Sequence, residues 1–241
     1  MIFLFTDYGL KGPYIGQVET VLHQHAPSEK VINLMSDAPR NNPKASAYLL
    51  ASLISHVPEG SIIFCVVDPG VGSNEDKPVI FKVDGRWFVG ADNGLLDIIA
   101  RQAKEIEAWV IKWRPEILSK SFHGRDLFAP VCAMIANKDE FQKEKFHWKD
   151  KHHWPDDLYE VIYIDDFGNC MTGIREKSLV KEMVIQNDHQ EIFNADTFSD
   201  VKEGTAFWYE NSNGMIEIAV NQGTAKCDLQ LRIGSHISLS D

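Results

Sequence analysis

The sequence contains few cysteines, and the four that are present stand apart from one another. No two have the C-x-x-C spacing and each lies in an apolar or mixed segment, which argues against a zinc knot and a disulfide framework. Isolated cysteines are typical of a reducing compartment, so we expect a cytoplasmic protein. The four are Cys65, Cys132, Cys170 and Cys227.

Basic residues and long apolar runs are also scarce. The 24 Lys and Arg are outnumbered by 35 Asp and Glu, which gives a formal net charge of −11 at pH 7. That charge repels phosphate backbones and anionic bilayers, so nucleic acid is not an expected partner. No stretch approaches the roughly 18 apolar residues that a membrane span requires. Residues 2–5 follow Met1 without the basic segment of a signal peptide, so we expect neither a membrane span nor a targeting segment.

Short apolar runs alternate with helical patterns through the first half of the chain. This alternation is typical of a parallel sheet covered by helices, so the sequence predicts an α/β, Rossmann-like domain over residues 1–140. Asn42 and Pro43 have the residue types of a helix N-cap and first turn. A further helix is predicted from about residue 125 to residue 137. The apolar runs are residues 2–5, 31–34, 62–67 and 87–89.

The pattern changes after the first domain. Residues 141–157 carry charges of both signs with few aliphatic side chains, which predicts a solvated linker between two domains. From residue 158 to residue 241 the apolar segments are short, β-rich and separated by turn signals. We therefore predict a smaller, all-β barrel or sandwich as the C-terminal domain.

Carboxylates follow three of the predicted parallel strands. Asp7, Asp68 and Asp92 follow apolar runs within one to three residues, at the sheet edge where ligands of open α/β proteins bind. A carboxylate there can accept two hydrogen bonds from a vicinal diol. Ordinary turn or capping chemistry explains each of these aspartates equally well. His123, before the predicted helix, is either a neutral base favoured by the helix dipole or a surface histidine beside a capping box.

Six segments in register give the chain a resemblance to a known family. They are FTDYGLKGPYIG, VVDPGVGS, ADNGLL, SFHGRDLFAP, YIDDFGN and NSNGMIEIAVNQGTA. The chain resembles the S-adenosylmethionine hydroxide adenosyltransferases, the hydrolase relatives of the bacterial fluorinase and chlorinase. The resemblance implies hydrolysis of S-adenosyl-L-methionine to adenosine and L-methionine. It also implies a homotrimer with its sites at subunit interfaces, no metal, and no cofactor beyond S-adenosylmethionine as substrate.

The resemblance also assigns substrate-binding residues. Asp7, with Tyr8 beside it, matches the carboxylate that holds the ribose hydroxyls. The segment that contacts the nucleoside and methionine ends is matched by Asp165, Phe167 and Asn169. Ser212 and Asn213 match the residues at the methionine carboxylate, and Phe198 matches an aromatic side chain that faces the adenine.

Asp68 and His123 match the pair that orients or deprotonates the attacking water. A carboxylate at this position would repel a halide, so a halogenase is disfavoured. The family's arginine beyond the DPGVG turn is missing, and residues 73–77 read Ser-Asn-Glu-Asp-Lys with Glu75 near its place. Lys77 or Arg125 could supply the positive charge, although lysine lacks the bidentate geometry of arginine. A non-catalytic protein that binds S-adenosylmethionine or adenosine is the alternative that this departure leaves open.

Overall fold

The computed structural model describes residues 1–68, 70, 77–178, 183–187 and 190–240. The chain divides into two compact units, Met1–His153 and Trp154–Asp241. The first contains helices and a sheet, and the second is mostly strands, so the protein has a two-domain α/β fold.

The first unit contains a seven-stranded mixed sheet in the order β2-β1-β3-β5-β4-β6-β7. The first four strands of that order run parallel to one another, and the pairs β5–β4, β4–β6 and β6–β7 are antiparallel. The four predicted apolar runs form the parallel strands. The strands are β1 (Ile2–Thr6), β2 (Val31–Met35), β3 (Ile62–Val66), β4 (Pro78–Val83), β5 (Arg86–Ala91), β6 (Ile106–Ile111) and β7 (Lys143–Phe146).

Among the residues of the first unit that the structure describes, four α-helices accompany this sheet. The predicted cap of the second is confirmed, because the Asn42 side chain accepts a hydrogen bond from Ala45 N at 3.1 Å. The predicted helix at residues 125–137 begins with a π-helical turn, Gly124–Phe128, and continues as an α-helix. The helices are α1 (Tyr14–His25), α2 (Pro43–Leu53), α3 (Asp97–Gln102) and α4 (Ala129–Asn137).

One core cluster of the first unit lies between the sheet and the helices α1 and α4. Leu4, Phe64, Val18 and Val131 belong to one buried cluster that joins strands β1 and β3 to those helices. All five residues of β1 are buried, as are all five of β3, which explains why both strands are continuously apolar rather than alternating.

The second unit contains a seven-stranded sheet in the order β14-β10-β11-β12-β13-β9-β8. β11 and β12 are parallel, and the other pairs are antiparallel. An isolated bridge joins Glu160 to His236, and a short helix, α5 (Ala225–Asp228), follows β13. The strands are β8 (Leu158–Ile164), β9 (Cys170–Arg175), β10 (Val184–Asn187), β11 (Gln190–Asn194), β12 (Ala206–Glu210), β13 (Met215–Val220) and β14 (Ser238–Ser240).

Two features of the first unit differ from the sequence-based expectation. Its sheet is mixed rather than wholly parallel, because β4 returns through the tight turn at Asp84 and Gly85 to pair with β5. The predicted linker, residues 141–157, contains strand β7, which joins the sheet at β6. The charged side chains of β7 are exposed and form the ion pairs Lys145–Glu107 and Lys112–Glu144, so an edge strand forms without an apolar pattern.

Helices long and apolar enough to cross a bilayer are absent from the described residues.

Gly90 in β5 tests how closely the parallel strands approach. A Cβ at this position would lie 2.2 Å from the carbonyl oxygen of Cys65 in β3, so Gly90→Ala must push two buried strands apart. We expect this substitution to lower the free energy of unfolding by about 3 kcal/mol. Urea denaturation followed by tryptophan fluorescence measures the change.

The matched control is Gly16→Ala. Gly16 is an exposed position of α1 at which a Cβ would meet no atom within 4 Å. Alanine should therefore raise the free energy of unfolding by about 1 kcal/mol through helix propensity. Equal effects of the two substitutions would contradict the close approach of β3 and β5.

Candidate active site

A pocket of about 520 Å³ lies in the first unit, where strands β1 and β3 end. Parallel strands expose their carboxyl ends at one edge of the sheet, so the residues that follow them meet there. The pocket combines carboxylates, a guanidinium group, an imidazole and aromatic rings. Six of its lining residues are Asp7, Tyr8, Arg40, Asp68, Phe122 and His123.

Asp7 is held by the segment that follows β2. Its Oδ2 accepts a hydrogen bond from the backbone N–H of Asn41 at 2.9 Å. Burial raises the pKa of Asp7 and the negative charge of Asp68 adds to the rise, whereas the Asn41 N–H and the charge of Arg40 oppose it. The net result is a pKa above the ordinary aspartate value, as expected of a carboxylate placed in a pocket beside another carboxylate.

Asp68 faces the same pocket from the end of β3. Its Oδ1 accepts a hydrogen bond from Gly70 N at 2.8 Å, which is the turn chemistry that the sequence allowed for. The turn uses one carboxylate oxygen, so the geometry is compatible with a structural role and a chemical role together. The third strand-end carboxylate, Asp92, forms an ion pair with Lys151 instead.

Three aromatic rings form one wall of the pocket. Tyr8 contacts Phe122 edge-on at a centroid distance of 5.6 Å, and Tyr14 contacts Phe122 at 5.4 Å. Gly124 packs directly on Tyr8, because a Cβ there would lie 2.0 Å from the tyrosine hydroxyl. Burial, with added repulsion from Asp7 and Asp68, raises the pKa of Tyr8, so this hydroxyl stays protonated at neutral pH.

His123 enters the pocket immediately before the π-helical turn, and the residues after it form an ion pair. Arg125 donates to both carboxylate oxygens of Asp126, at 2.6 and 3.0 Å, and to Gln17 Oε1 at 2.9 Å. The hydrogen bond from Arg125 is the main reason that the pKa of Asp126 lies below its usual value. Arg125 is therefore held by Asp126 and Gln17.

Two cations, Lys11 and Arg40, line the pocket with the two carboxylates, and the sequence analysis singled out neither. Arg40 follows β2 and acts on the charge of Asp7. Lys77 is exposed and is absent from the described pocket lining, and its charge contributes to the lowered pKa of Glu144. No motif marks Arg40; only its position after a predicted parallel strand could have indicated it. Glu75 and residues 73–76 around it lie outside the described residues.

The second unit contains the remaining predicted residues. Asp165 organises a tight turn: its Oδ1 accepts from Phe167 N at 2.9 Å and from Asn169 N at 2.8 Å, and its Oδ2 accepts from Asn169 Nδ2 at 3.0 Å. Phe167 at the tip of this turn is 78% exposed. An aromatic ring held out from a rigid turn can contact a ligand without rearrangement of the backbone.

Phe198, Ser212 and Asn213 lie in two other loops of the second unit. The ring of Phe198 packs edge-on against Phe207 at 5.0 Å and contacts Tyr209 at 5.7 Å. Ser212 and Asn213 occupy the hairpin loop between β12 and β13, where Ser212 is exposed and Asn213 is half-buried. Each unit thus holds one group of the predicted site residues.

Comparison with known proteins identifies relatives of both units. The model of the SAM hydroxide adenosyltransferase N-terminal domain matches residues 2–145, and that of the C-terminal domain matches residues 159–238. The chain is 31% identical to an (R)-S-adenosyl-L-methionine hydrolase of Thermus thermophilus, over 99% of this chain and 98% of the relative. It is 29% identical to a protein of the same name from Salinispora arenicola, over 98% and 95%.

A solved structure has a similar fold over the whole chain. The crystal structure of an uncharacterized conserved protein from Thermotoga maritima superposes with a TM-score of 0.89 and 27% sequence identity, covering 100% of both chains. The fold of this chain is therefore shared with a solved structure along its whole length.

Asp7→Asn tests the raised pKa of Asp7. The folded-state pKa lies above the unfolded value near 3.8, so the parent loses stability as pH rises through that interval. Asparagine removes the charge and keeps an oxygen for the Asn41 N–H. We expect Asp7→Asn to be more stable than the parent at pH 7, with the difference vanishing below about pH 3. Urea denaturation at a series of pH values measures the free energy of unfolding of the parent and of the variant.

Asp126→Asn is the control of opposite sign. The pKa of Asp126 is lowered in the folded protein, so its charge contributes stability above the unfolded pKa that is lost as pH falls. Asp126→Asn should be less stable than the parent at pH 7 and should converge with it in acid. If both variants shift stability in the same direction, the assignment of the Asp7 environment is wrong.

Proposed function

We propose that this chain, which belongs to the SAM hydroxide adenosyltransferase family, hydrolyses S-adenosyl-L-methionine to adenosine and L-methionine. The observation that carries the proposal is the agreement of the two family models and the curated relatives, which are named (R)-S-adenosyl-L-methionine hydrolase. Those relatives match nearly the whole chain in three of four cases. They favour hydrolysis over passive binding or halogenation.

The reaction is a displacement at the 5′ carbon of the ribose. A water oxygen forms the new bond to C5′, the C5′–S bond breaks, and its electron pair returns to sulfur, which leaves as the neutral thioether of methionine. The water loses a proton to a base, and the adenosine hydroxyl results. The sulfonium already carries the charge that makes sulfur depart, so the chemistry requires positioning and a proton acceptor and no cofactor.

The pocket of the first unit supports a division of roles. Asp7 would accept hydrogen bonds from the two ribose hydroxyls, since one carboxylate oxygen is already oriented by Asn41 N. Asp68 and His123 line the same pocket and would orient the attacking water and accept its proton. The aromatic wall around Tyr8 would exclude bulk water from the reacting carbon.

The loops of the second unit supply the groups for the other parts of the substrate. Asp165, Phe167 and Asn169 would contact the nucleoside and methionine ends, Phe198 would face the adenine, and Ser212 with Asn213 would hold the methionine carboxylate. The rigid turn at Asp165 and the ring contacts of Phe198 support these roles. In the family resemblance such sites lie at the subunit interfaces of a homotrimer, which we propose for this chain as well.

Asp68→Asn is the direct test of the hydrolysis mechanism. Asparagine keeps the oxygen that accepts from Gly70 N but cannot take a proton from water. We expect adenosine formation to fall by about 10²-fold to 10⁴-fold, while the dissociation constant for adenosine changes little. Chromatography of adenosine and titration calorimetry measure the two quantities, with each sulfonium epimer supplied separately because the relatives are named for the (R) form.

Two results would contradict the proposal. A parent protein that forms adenosine from neither epimer faster than buffer does would be a binding protein. An Asp68→Asn variant that loses adenosine affinity and stability together would show that Asp68 is a turn residue only.

Arg40→Gln and Lys77→Ala distinguish the two candidate cations. Arg40 lines the pocket and its charge acts on Asp7, whereas Lys77 is exposed and acts on Glu144. We expect Arg40→Gln to lower kcat/KM about tenfold or more, and Lys77→Ala to lower it less than threefold. Steady-state kinetics on purified variants gives the ratio. The reverse order would return the role of the missing family arginine to Lys77.

A further inference from the structure

The second unit buries a carboxylate that the proposed mechanism does not use. Glu217 lies in strand β13 with 8% of its surface exposed. No lysine, arginine or histidine among the described residues forms an ion pair with it. Instead its Oε1 accepts from the Tyr209 hydroxyl at 2.5 Å and its Oε2 accepts from Asn211 Nδ2 at 2.8 Å. Burial of a charge without a cation is costly, so this carboxylate requires an explanation.

The strand geometry explains how these three side chains meet. Tyr209 and Glu217 are directly paired across the antiparallel strands β12 and β13, so their side chains lie on the same face of the sheet. Asn211 is two residues beyond Tyr209, which brings its side chain to the same face. Glu217 is then the one acceptor placed between a hydroxyl and an amide.

Asn211 in turn organises the hairpin loop that follows β12. Its Oδ1 accepts from Asn213 N at 3.0 Å and from Met215 N at 3.1 Å. The amide can take only one orientation, because a flipped amide would direct its NH₂ at two backbone N–H donors and its oxygen at the Glu217 carboxylate. Glu217 therefore fixes the orientation of the group that shapes the loop.

A carboxylate suits this position better than any other side chain. It accepts hydrogen bonds on both oxygens at once, whereas glutamine has a single acceptor oxygen and an NH₂ that repels the donor it faces. The negative charge of Glu217 also contributes, after burial, to a raised pKa of the Tyr209 hydroxyl, which keeps that group a donor at neutral pH. Tyr209 also contacts Phe198, so the network reaches the aromatic residues of the same unit.

We propose that Glu217 is a positioning residue for the substrate: through Asn211 it holds the loop that presents Ser212 and Asn213 to the carboxylate of the methionine moiety. This inference rests on the proposed function, which assigns that loop to the methionine end. Glu217 itself touches no substrate and determines how firmly the amino-acid part is held.

A charge swap on the full-length protein tests the inference. The measured quantity is the ratio of the adenosine dissociation constant to that of S-adenosylhomocysteine, which carries the amino-acid part on a neutral sulfur that departs poorly. Asn211→Asp places a second carboxylate against Glu217 while its oxygen can still accept from Asn213 N. We expect the ratio to fall about tenfold in this variant. Adding Glu217→Gln supplies an NH₂ that donates to Asp at 211, so the double variant should recover most of the ratio.

Two further variants complete the comparison: Glu217→Gln alone, and Asn194→Asp as the matched control for Asn211→Asp. Glu217→Gln alone should lower the ratio about threefold, because the single glutamine oxygen cannot accept from both the Tyr209 hydroxyl and the Asn211 amide, so Asn211 is held less firmly. Asn194→Asp makes the same charge change in strand β11 of the same unit, where the Asn194 amide donates to Trp208 O at 3.1 Å. Asn194→Asp should lower the melting temperature without changing the ratio of dissociation constants. Adding Glu217→Gln should not restore that melting temperature.

The outcomes separate this inference from the proposed function. A parent protein that binds S-adenosylhomocysteine no more tightly than adenosine would overturn the assignment of the loop to the methionine end, and this inference with it. A parent that discriminates between the two ligands, but whose double variant is as impaired as Asn211→Asp or worse, would overturn the role of Glu217 alone.

Discussion

The register between β1 and β3 is the constraint on which the chemistry of the first unit depends. Thr6 at the end of β1 pairs with Val66 at the end of β3. The two strands therefore end side by side, and the residues that follow them, Asp7 and Asp68, line one pocket. A shift of this register would separate the two carboxylates, because each residue of shift moves one strand end along the other by roughly 3.3 Å. Burial is the main cause of the raised pKa of Asp7, and the nearby charge of Asp68 adds a smaller part. The fold thus brings two like charges together that water would keep apart.

Part of this arrangement could be predicted from the sequence, because burial on both faces makes parallel strands apolar throughout. Runs such as residues 62–67 therefore identified the strands, and the carboxylates after them identified the pocket. Strand β7 could not be found in this way, because its sequence Lys-Glu-Lys-Phe has no apolar pattern and it forms only as an edge strand next to β6. Arg40 was not predicted for a related reason. It belongs to the pocket because it follows the end of β2, and no local motif marks a residue for that position.

The second unit illustrates a different limit of sequence analysis. Glu217 stands in the segment Met-Ile-Glu-Ile-Ala-Val, where a single acid in a strand reads as a solvent-facing position. Its burial depends on two donors, the Tyr209 hydroxyl across the hairpin and the Asn211 amide in its loop, and the apolar pattern of the strand does not show that they meet it. Hydrogen-bond partners decide whether a carboxylate can be buried, and partners are a property of the register.

The arginines of the first unit differ in their surroundings: Arg125 is bound in an ion pair, whereas Arg40 lines the pocket. Arg125 is held bidentately by Asp126 and also by Gln17, so removing it from that network would leave a carboxylate without its main donor. Arg40 and Lys11 line the pocket, and of these two Arg40 acts on Asp7. A guanidinium in that place offsets the repulsion between two carboxylates while leaving both available as acceptors. Arg125 therefore stabilises the structure through its ion pair, whereas Arg40 lies in the pocket beside carboxylates that can still accept hydrogen bonds.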